Sequence, residues 1–166
     1  MIEIKQASTE KEFDFVRSLN HSFIEWLMQN FPEAQDRIEK YFKSLEAEMA
    51  SLPGEYAPPT GTLLIAYYEG EVAGTVSVRK IGDQICEMKH MFALPKFHGK
   101  GIGKALATEL INESRKMGYE RMRLDTSIGQ VAAQGLYRSL GFQEIQPYYE
   151  LPEAVRNSMV FFELRL

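Results

Sequence analysis

Cysteine is almost missing from this chain. One residue, Cys86, stands among 166, so no disulfide framework can form and a reducing compartment is expected. Histidine is scarce too, with three copies, and Cys86 and His90 alone do not make a metal site; no metal is expected. No apolar run reaches the roughly 18 residues of a membrane span. Met1-Ile2-Glu3-Ile4-Lys5 lacks a signal-peptide pattern, which points to a cytoplasmic location without membrane contact. Positive charge is not in excess: the formal net charge is −4, which argues against a nucleic-acid partner. Repeats and low-complexity segments are also lacking. What is there is a chain 45% hydrophobic, suited to one domain over residues 1–166. A domain of this size buries roughly two-thirds of its unfolded surface and needs no staple.

The order of periodic segments is α/β. Ile2–Gln6 reads as a strand, and Thr9-x-x-Glu12 as a capping box, after which Phe13, Val16, Phe23 and Leu27 recur at helical spacing. Pro32 marks the start of a second helix, whose apolar face carries Ile38, Tyr41, Phe42, Leu45, Met49 and Leu52. Residues 53–61 predict a loop, and residues 63–68 and 71–79 predict strands around a turn at Glu69-Gly70. Alternation of Val72, Gly74, Val76 and Val78 predicts a sheet with one buried face. A strand over 85–93 and a helix from Lys100 to a glycine cap at Gly118 come next. A strand through Leu124, a shorter helix at about 131–140, and strands near 144–149 and 159–166 complete the pattern.

The join between the strand at 85–93 and its helix carries the chemistry. It reads Phe97-His98-Gly99-Lys100-Gly101-Ile102-Gly103-Lys104. Glycines at 99, 101 and 103 remove side chains from the turn, so successive N–H groups can approach an anion. The positive end of the helix and Lys96, Lys100 and Lys104 add charge. A Walker A loop is excluded because Ala105 follows Gly103-Lys104, and the G-x-G-x-x-G fingerprint because Lys104 and Leu106 fill its last position.

Three segments in order resemble the GNAT acyltransferases, the general N-acetyltransferase superfamily. His98-x-x-Gly101-x-Gly103 resembles the family's [Q/R]-x-x-G-x-[G/A] acetyl-CoA motif, with histidine in the first slot. Gly118-Tyr119-Glu120-Arg121-Met122-Arg123-Leu124-Asp125-Thr126 is similar to its fifth strand. Leu136-Tyr137-Arg138-Ser139-Leu140-Gly141-Phe142 is similar to its L-Y-x-x-L-G-F. The resemblance runs from about Thr62 to Phe142. It implies a mixed, mostly antiparallel sheet of about six to seven strands, helices on both faces and a splayed central strand pair. It also implies direct transfer of an acetyl group from acetyl-CoA, the donor substrate, to a primary amine.

On that resemblance, His98, Gly99, Lys100, Gly101, Ile102, Gly103 and Lys104 hold the pyrophosphate. The backbone of Met91, Phe92 and Ala93 pairs with the pantetheine arm and meets the thioester oxygen. Residues 130–135 depart from the asparagine and Ala-Ile pair found in many relatives. Glu87 is the candidate general base: two-residue alternation puts it on the face of Lys89 and Met91, and an amine of pKa ~10 must lose a proton before attack. Tyr137 is the candidate general acid, because the family's tyrosine here approaches the CoA sulfur and a phenol can meet a leaving thiolate. Cys86 and His90 read as core residues, His90 on the Cys86 face if no bulge intervenes. Phe23, Trp26, Tyr41, Tyr148 and Tyr149 are candidate acceptor walls. A small-molecule amine or amino acid is the expected acceptor. A protein N-terminus or lysine, a non-catalytic acyl-CoA-binding module and a homodimeric assembly remain alternatives.

Overall fold

The computed structural model describes residues 1–166. In chain order its elements are β1 (Ile2–Gln6), α1 (Glu10–Asn30), α2 (Gln35–Ala50), β2 (Thr62–Tyr68), β3 (Glu71–Gly82) and β4 (Ile85–Ala93). They continue as α3 (Ile102–Lys116), β5 (Arg121–Ser127), α4 (Val131–Ser139), β6 (Gln143–Ile145), α5 (Glu153–Arg156) and β7 (Met159–Arg165). One seven-stranded sheet runs β1-β2-β3-β4-β5-β7-β6. Every neighbouring pair is antiparallel except β4 and β5.

The sheet is buried on both faces, which corrects the expectation of one. Along β2, Leu64 and Ala66 join Val76, Val78, Leu106 and Leu110 under α3, while Leu63 and Ile65 join Val16, Phe23 and Leu45 under α1 and α2. Thr75 and Ser77, which alternate with the buried Val76 and Val78 of β3, are therefore buried as well. Thr75 is reconciled to the core by donating its hydroxyl to the Leu64 carbonyl at 2.9 Å. Gly74 lets α3 lie close on the sheet: a Cβ there would sit 2.7 Å from the Phe92 carbonyl oxygen and 3.0 Å from the Ile102 side chain.

Local signals hold at most ends. Thr9 accepts from the Glu12 N–H, and Glu12 accepts from Ser8 and Thr9, closing the capping box. Gly118 takes φ +90 after α3. Four boundaries move, the first being the end of β3, which runs on to Gly82 rather than stopping at 79. The turn Pro32–Ala34 precedes α2, which starts at Gln35. Helix α3 starts at Ile102, not Lys100, because Gly101 at φ +82 lies outside helical backbone. The strand expected at 144–149 is only Gln143–Ile145, since Pro147 cannot donate to a ladder and the chain turns Tyr148 and Tyr149 onto Phe161.

Candidate active site

The site begins where two parallel strands part. β4 pairs with β5 only from Ile85 to Glu87, opposite Arg121 to Arg123. Beyond that both continue, so Met88 to Ala93 have no strand partner on that side. A bulge adds to the divergence: Ser77 faces Lys89 and Thr75 faces Phe92, which leaves β4 one residue longer than β3. His90 absorbs it at φ +56. The alternation flips there. Met91 packs with Cys86 and Met88 under α3, whereas Phe92 packs with Phe23 under α1. Met91 thus lies on the face opposite Glu87 and Lys89, a correction of simple two-residue counting, and His90 leaves the face of Cys86.

Beyond β4 the chain makes a 3₁₀ turn, Pro95–Phe97, and enters α3 through Gly99 and Gly101, at φ +80 and +82. None of the N–H groups of Gly99, Gly101, Ile102, Gly103 and Lys104 donates to an acceptor within the chain, and no side chain caps the helix. That is a donor set an anion fits. Lys100 and Lys104 carry no ion pair, whereas Lys96 is engaged by Glu71. His98 is exposed, with Nε2 3.2 Å from the Ala93 carbonyl and its ring against Trp26. On the far side of the turn, Leu136 of α4 would lie 3.3 Å from a Cβ on Gly103.

Between α1 and α2 on one side and the parted strands on the other lies a cavity of about 220 Å³. Phe23, Phe31 and Tyr41 wall it from the helices, Met88, Lys89, His90 and Met91 from β4, and Leu124 to Ser127 from β5. Tyr137 closes one end, its ring against Phe142 and Phe162 and its hydroxyl without a partner in the chain. Burial, and then Asp125, push its phenol above the ordinary value, which keeps it protonated. Asp125, raised by burial and held by a hydrogen bond from Tyr149, borders this cavity and a second one. Sequence reasoning missed Asp125 and also Arg37, which reaches the cavity from α2. Only the alternation of β5 signalled Asp125, as a polar residue between buried Leu124 and Thr126.

Glu87 is 3% exposed and borders the second cavity with Arg79, Lys89, Arg123, Tyr148 and Tyr149. Both its oxygens are engaged. Arg79 donates to Oε1 from Nε at 3.0 Å and holds its terminal nitrogen 2.9 Å from the same oxygen as an ion pair, and Tyr148 donates to Oε2 at 2.6 Å. Of the expected acceptor walls, Phe23 and Tyr41 line the first cavity and Tyr148 and Tyr149 the second, of about 450 Å³. Trp26 stacks on Phe23 beside them. Cys86 is buried under α3, its thiol pushed up to about 12 by burial, which suits an inert core residue.

Comparison with known proteins matches residues 20–142 to the acetyltransferase (GNAT) family. An uncharacterized N-acetyltransferase of Schizosaccharomyces pombe is 38% identical over 113 residues, 67% of this chain and 69% of its own. The N-acetylaspartate synthetase of Danio rerio is 33% identical over 128 residues, 74% of this chain and 45% of its own. The PaiA N-acetyltransferase of Thermoplasma acidophilum, solved in complex with coenzyme A, superposes with TM-score 0.79 at 18% identity, over 100% of this chain and 99% of that one.

Proposed function

Because this chain belongs to the acetyltransferase (GNAT) family and is an N-acetyltransferase, we propose that it acetylates a small primary amine with an apolar body and an anionic end. The carrying observation is the cavity between α1, α2 and the parted strands. At about 220 Å³ it falls below the roughly 300–1,000 Å³ of sites for drug-sized ligands, so it suits a metabolite rather than a folded partner. Its walls are apolar, through residues such as Leu27, Phe31, Ile38 and Leu124. Arg37 and Lys89 enter it with no acid partner in the chain, and a carboxylate is the group that suits them. One relative's name, N-acetylaspartate synthetase, denotes an acylated amino acid, which agrees with this class.

Acetyl-CoA is the donor in this reading. The free N–H groups of Gly99, Gly101, Ile102, Gly103 and Lys104, with the Lys100 and Lys104 side chains, hold its pyrophosphate; His98 borders them. The unpaired edge of β4 through Met91, Phe92 and Ala93 receives the pantetheine arm. Tyr137 donates to the departing thiolate; its free, protonated hydroxyl at the cavity end supports that role. For the base, β4 offers Glu87, reached through Tyr148, and His90, which borders the first cavity itself.

Thiol release from acetyl-CoA, assayed with apolar and acidic L-amino acids and with their decarboxylated amines, tests the acceptor class. Turnover should favour the carboxylate-bearing member of each pair at least about tenfold in kcat/KM, and Arg37→Gln should erase that preference. Turnover confined to the decarboxylated amines would remove the anionic end from the proposal.

A further inference from the structure

On the α2 side of the cavity, a series of hydrogen bonds runs from the wall into the interior. Tyr41 and His90 both border the cavity, and the Tyr41 hydroxyl bonds His90 Nδ1. His90 Nε2 lies 2.7 Å from Glu48 Oε2, with the imidazole side chain 1% exposed. Tyr56 completes the set by donating to Glu48 Oε1 at 2.9 Å. A carboxylate only accepts, so Nε2 carries the hydrogen and Nδ1 is the acceptor for Tyr41. The lone pairs of the Tyr41 oxygen are then left to meet a donor in the cavity.

His90 is also the bulge residue, at φ +56, one position before the edge that receives the thioester arm. A non-glycine residue in left-handed backbone is uncommon, and such strain gathers at functional sites. Glu87, by contrast, faces the second cavity with both oxygens already engaged.

We infer that Tyr41, His90 and Glu48 form the relay that takes the acceptor's proton, with Tyr41 the group in contact with substrate and Glu48 the residue that positions the imidazole. The inference rests on the acceptor lying in the first cavity, between α1, α2 and the parted strands. An ammonium acceptor gives one proton to the Tyr41 oxygen while Tyr41 passes its own to His90 Nδ1, leaving a free amine and an imidazolium facing Glu48. The nitrogen lone pair forms the C–N bond to the thioester carbonyl carbon, and the C–S bond breaks with its electron pair on sulfur. Tyr137 protonates the thiolate and regains a proton as the nitrogen loses its second one. The sum is an amide, a free thiol and one proton released from His90 to solvent.

The groups facing His90 are Tyr41 and Glu48 from α2, Tyr56 from the turn Gly54–Tyr56, Arg79 from β3, Lys89 beside it on β4 and Asp125 from β5. Burial depresses the imidazole, Lys89 and Arg79 add to that, and Glu48 opposes it. The ring is therefore neutral at neutral pH and able to accept.

Two measurements on the full chain test the relay. The first is the ¹⁵N spectrum of the His90 imidazole across a pH titration. The expected result is a proton on Nε2, none on Nδ1, and a pKa below the usual ~6.5 that falls further in Glu48→Gln. A proton on Nδ1, or an imidazolium at neutral pH, would overturn the proposal. The second is thiol release with L-leucine and L-methionine between about pH 6 and about pH 10. Tyr41→Phe and His90→Asn should lose about a hundredfold or more in kcat at neutral pH while acetyl-CoA still binds in calorimetry. Their rates should then rise about tenfold per pH unit toward the amine pKa, where wild type is flat. Asparagine is chosen because it tolerates the left-handed backbone of position 90. A pH-independent loss, or that slope in Glu87→Gln with a flat His90→Asn, overturns the relay. If neither amino acid is a substrate, the failure falls on the acceptor class, and the imidazole titration still decides the relay.

Discussion

Truncating Arg79 tests most directly what Glu87 does. The guanidinium holds Glu87 through two contacts at 2.9–3.0 Å, and it reaches Glu55 at 2.8 Å on its other side. The Glu87 side chain is 4% exposed and that of Arg79 25%. In Arg79→Ala, Glu87 keeps only the hydrogen bond from Tyr148, and a buried carboxylate loses its counter-charge. Removing one partner of a fully buried pair costs roughly 3–5 kcal/mol; with Arg79 a quarter exposed, about 2–3 kcal/mol is expected. At roughly 2–4 °C per kcal/mol for a chain of this size, the melting temperature should drop by about 4–12 °C. Glu87→Gln is milder, since an amide oxygen still accepts from Arg79 or Tyr148 and no charge is stranded, so about 1 kcal/mol is expected. The double variant should recover most of the Arg79→Ala loss. Scanning calorimetry of the four proteins at neutral pH gives all three values. A melting temperature that barely moves in Arg79→Ala, or a larger loss in Glu87→Gln, would refute the reading of Glu87 as a carboxylate committed to Arg79.

Tyr137→Phe removes only a hydroxyl that has no partner in the chain, so the fold should keep its melting temperature while kcat falls by about 10²–10⁴. An unchanged kcat takes Tyr137 out of the chemistry. The pH dependence of stability carries the sign of a depressed base: the unfolded chain binds the His90 proton more readily than the folded one. Stability from this group is full above the ordinary histidine value of about 6.5 and declines as pH falls toward the lower folded value. Denaturant midpoints measured across that range should fall with pH in wild type and lose that component in His90→Asn. Gly101→Ala forces a side chain into φ +82 at the entry to α3 and should cost about 1–2 kcal/mol and weaken acetyl-CoA binding in calorimetry; wild-type affinity would mean the turn does not hold the donor. Cys86, buried and with its thiol near 12, should resist iodoacetamide at neutral pH until the chain unfolds.

The sequence by itself determined the local pieces. The Thr9 and Glu12 capping box, the helical spacing of α1 and α2, the period-two strands and the glycines at 99, 101 and 118 were legible, because each is set by side chains within one or two turns. The glycine turn at 98–104 was legible for the same reason, and its likeness to a family motif carried the fold. Only the tertiary structure decided the rest. One extra residue at His90 reversed the facing of Met91, which no count along β4 could show while the partner strand was unknown. The parting of β4 from β5, which opens the cavity, is a relation between strands far apart in the chain. Glu87 turned out to be buried against Arg79 and Tyr148, a residue 61 positions away. His90, a plain core residue by composition, meets Tyr41 across 49 positions and Glu48 across 42. The proposed relay depends on such meetings, and spacing along a chain does not encode hydrogen bonds between elements that only packing brings together.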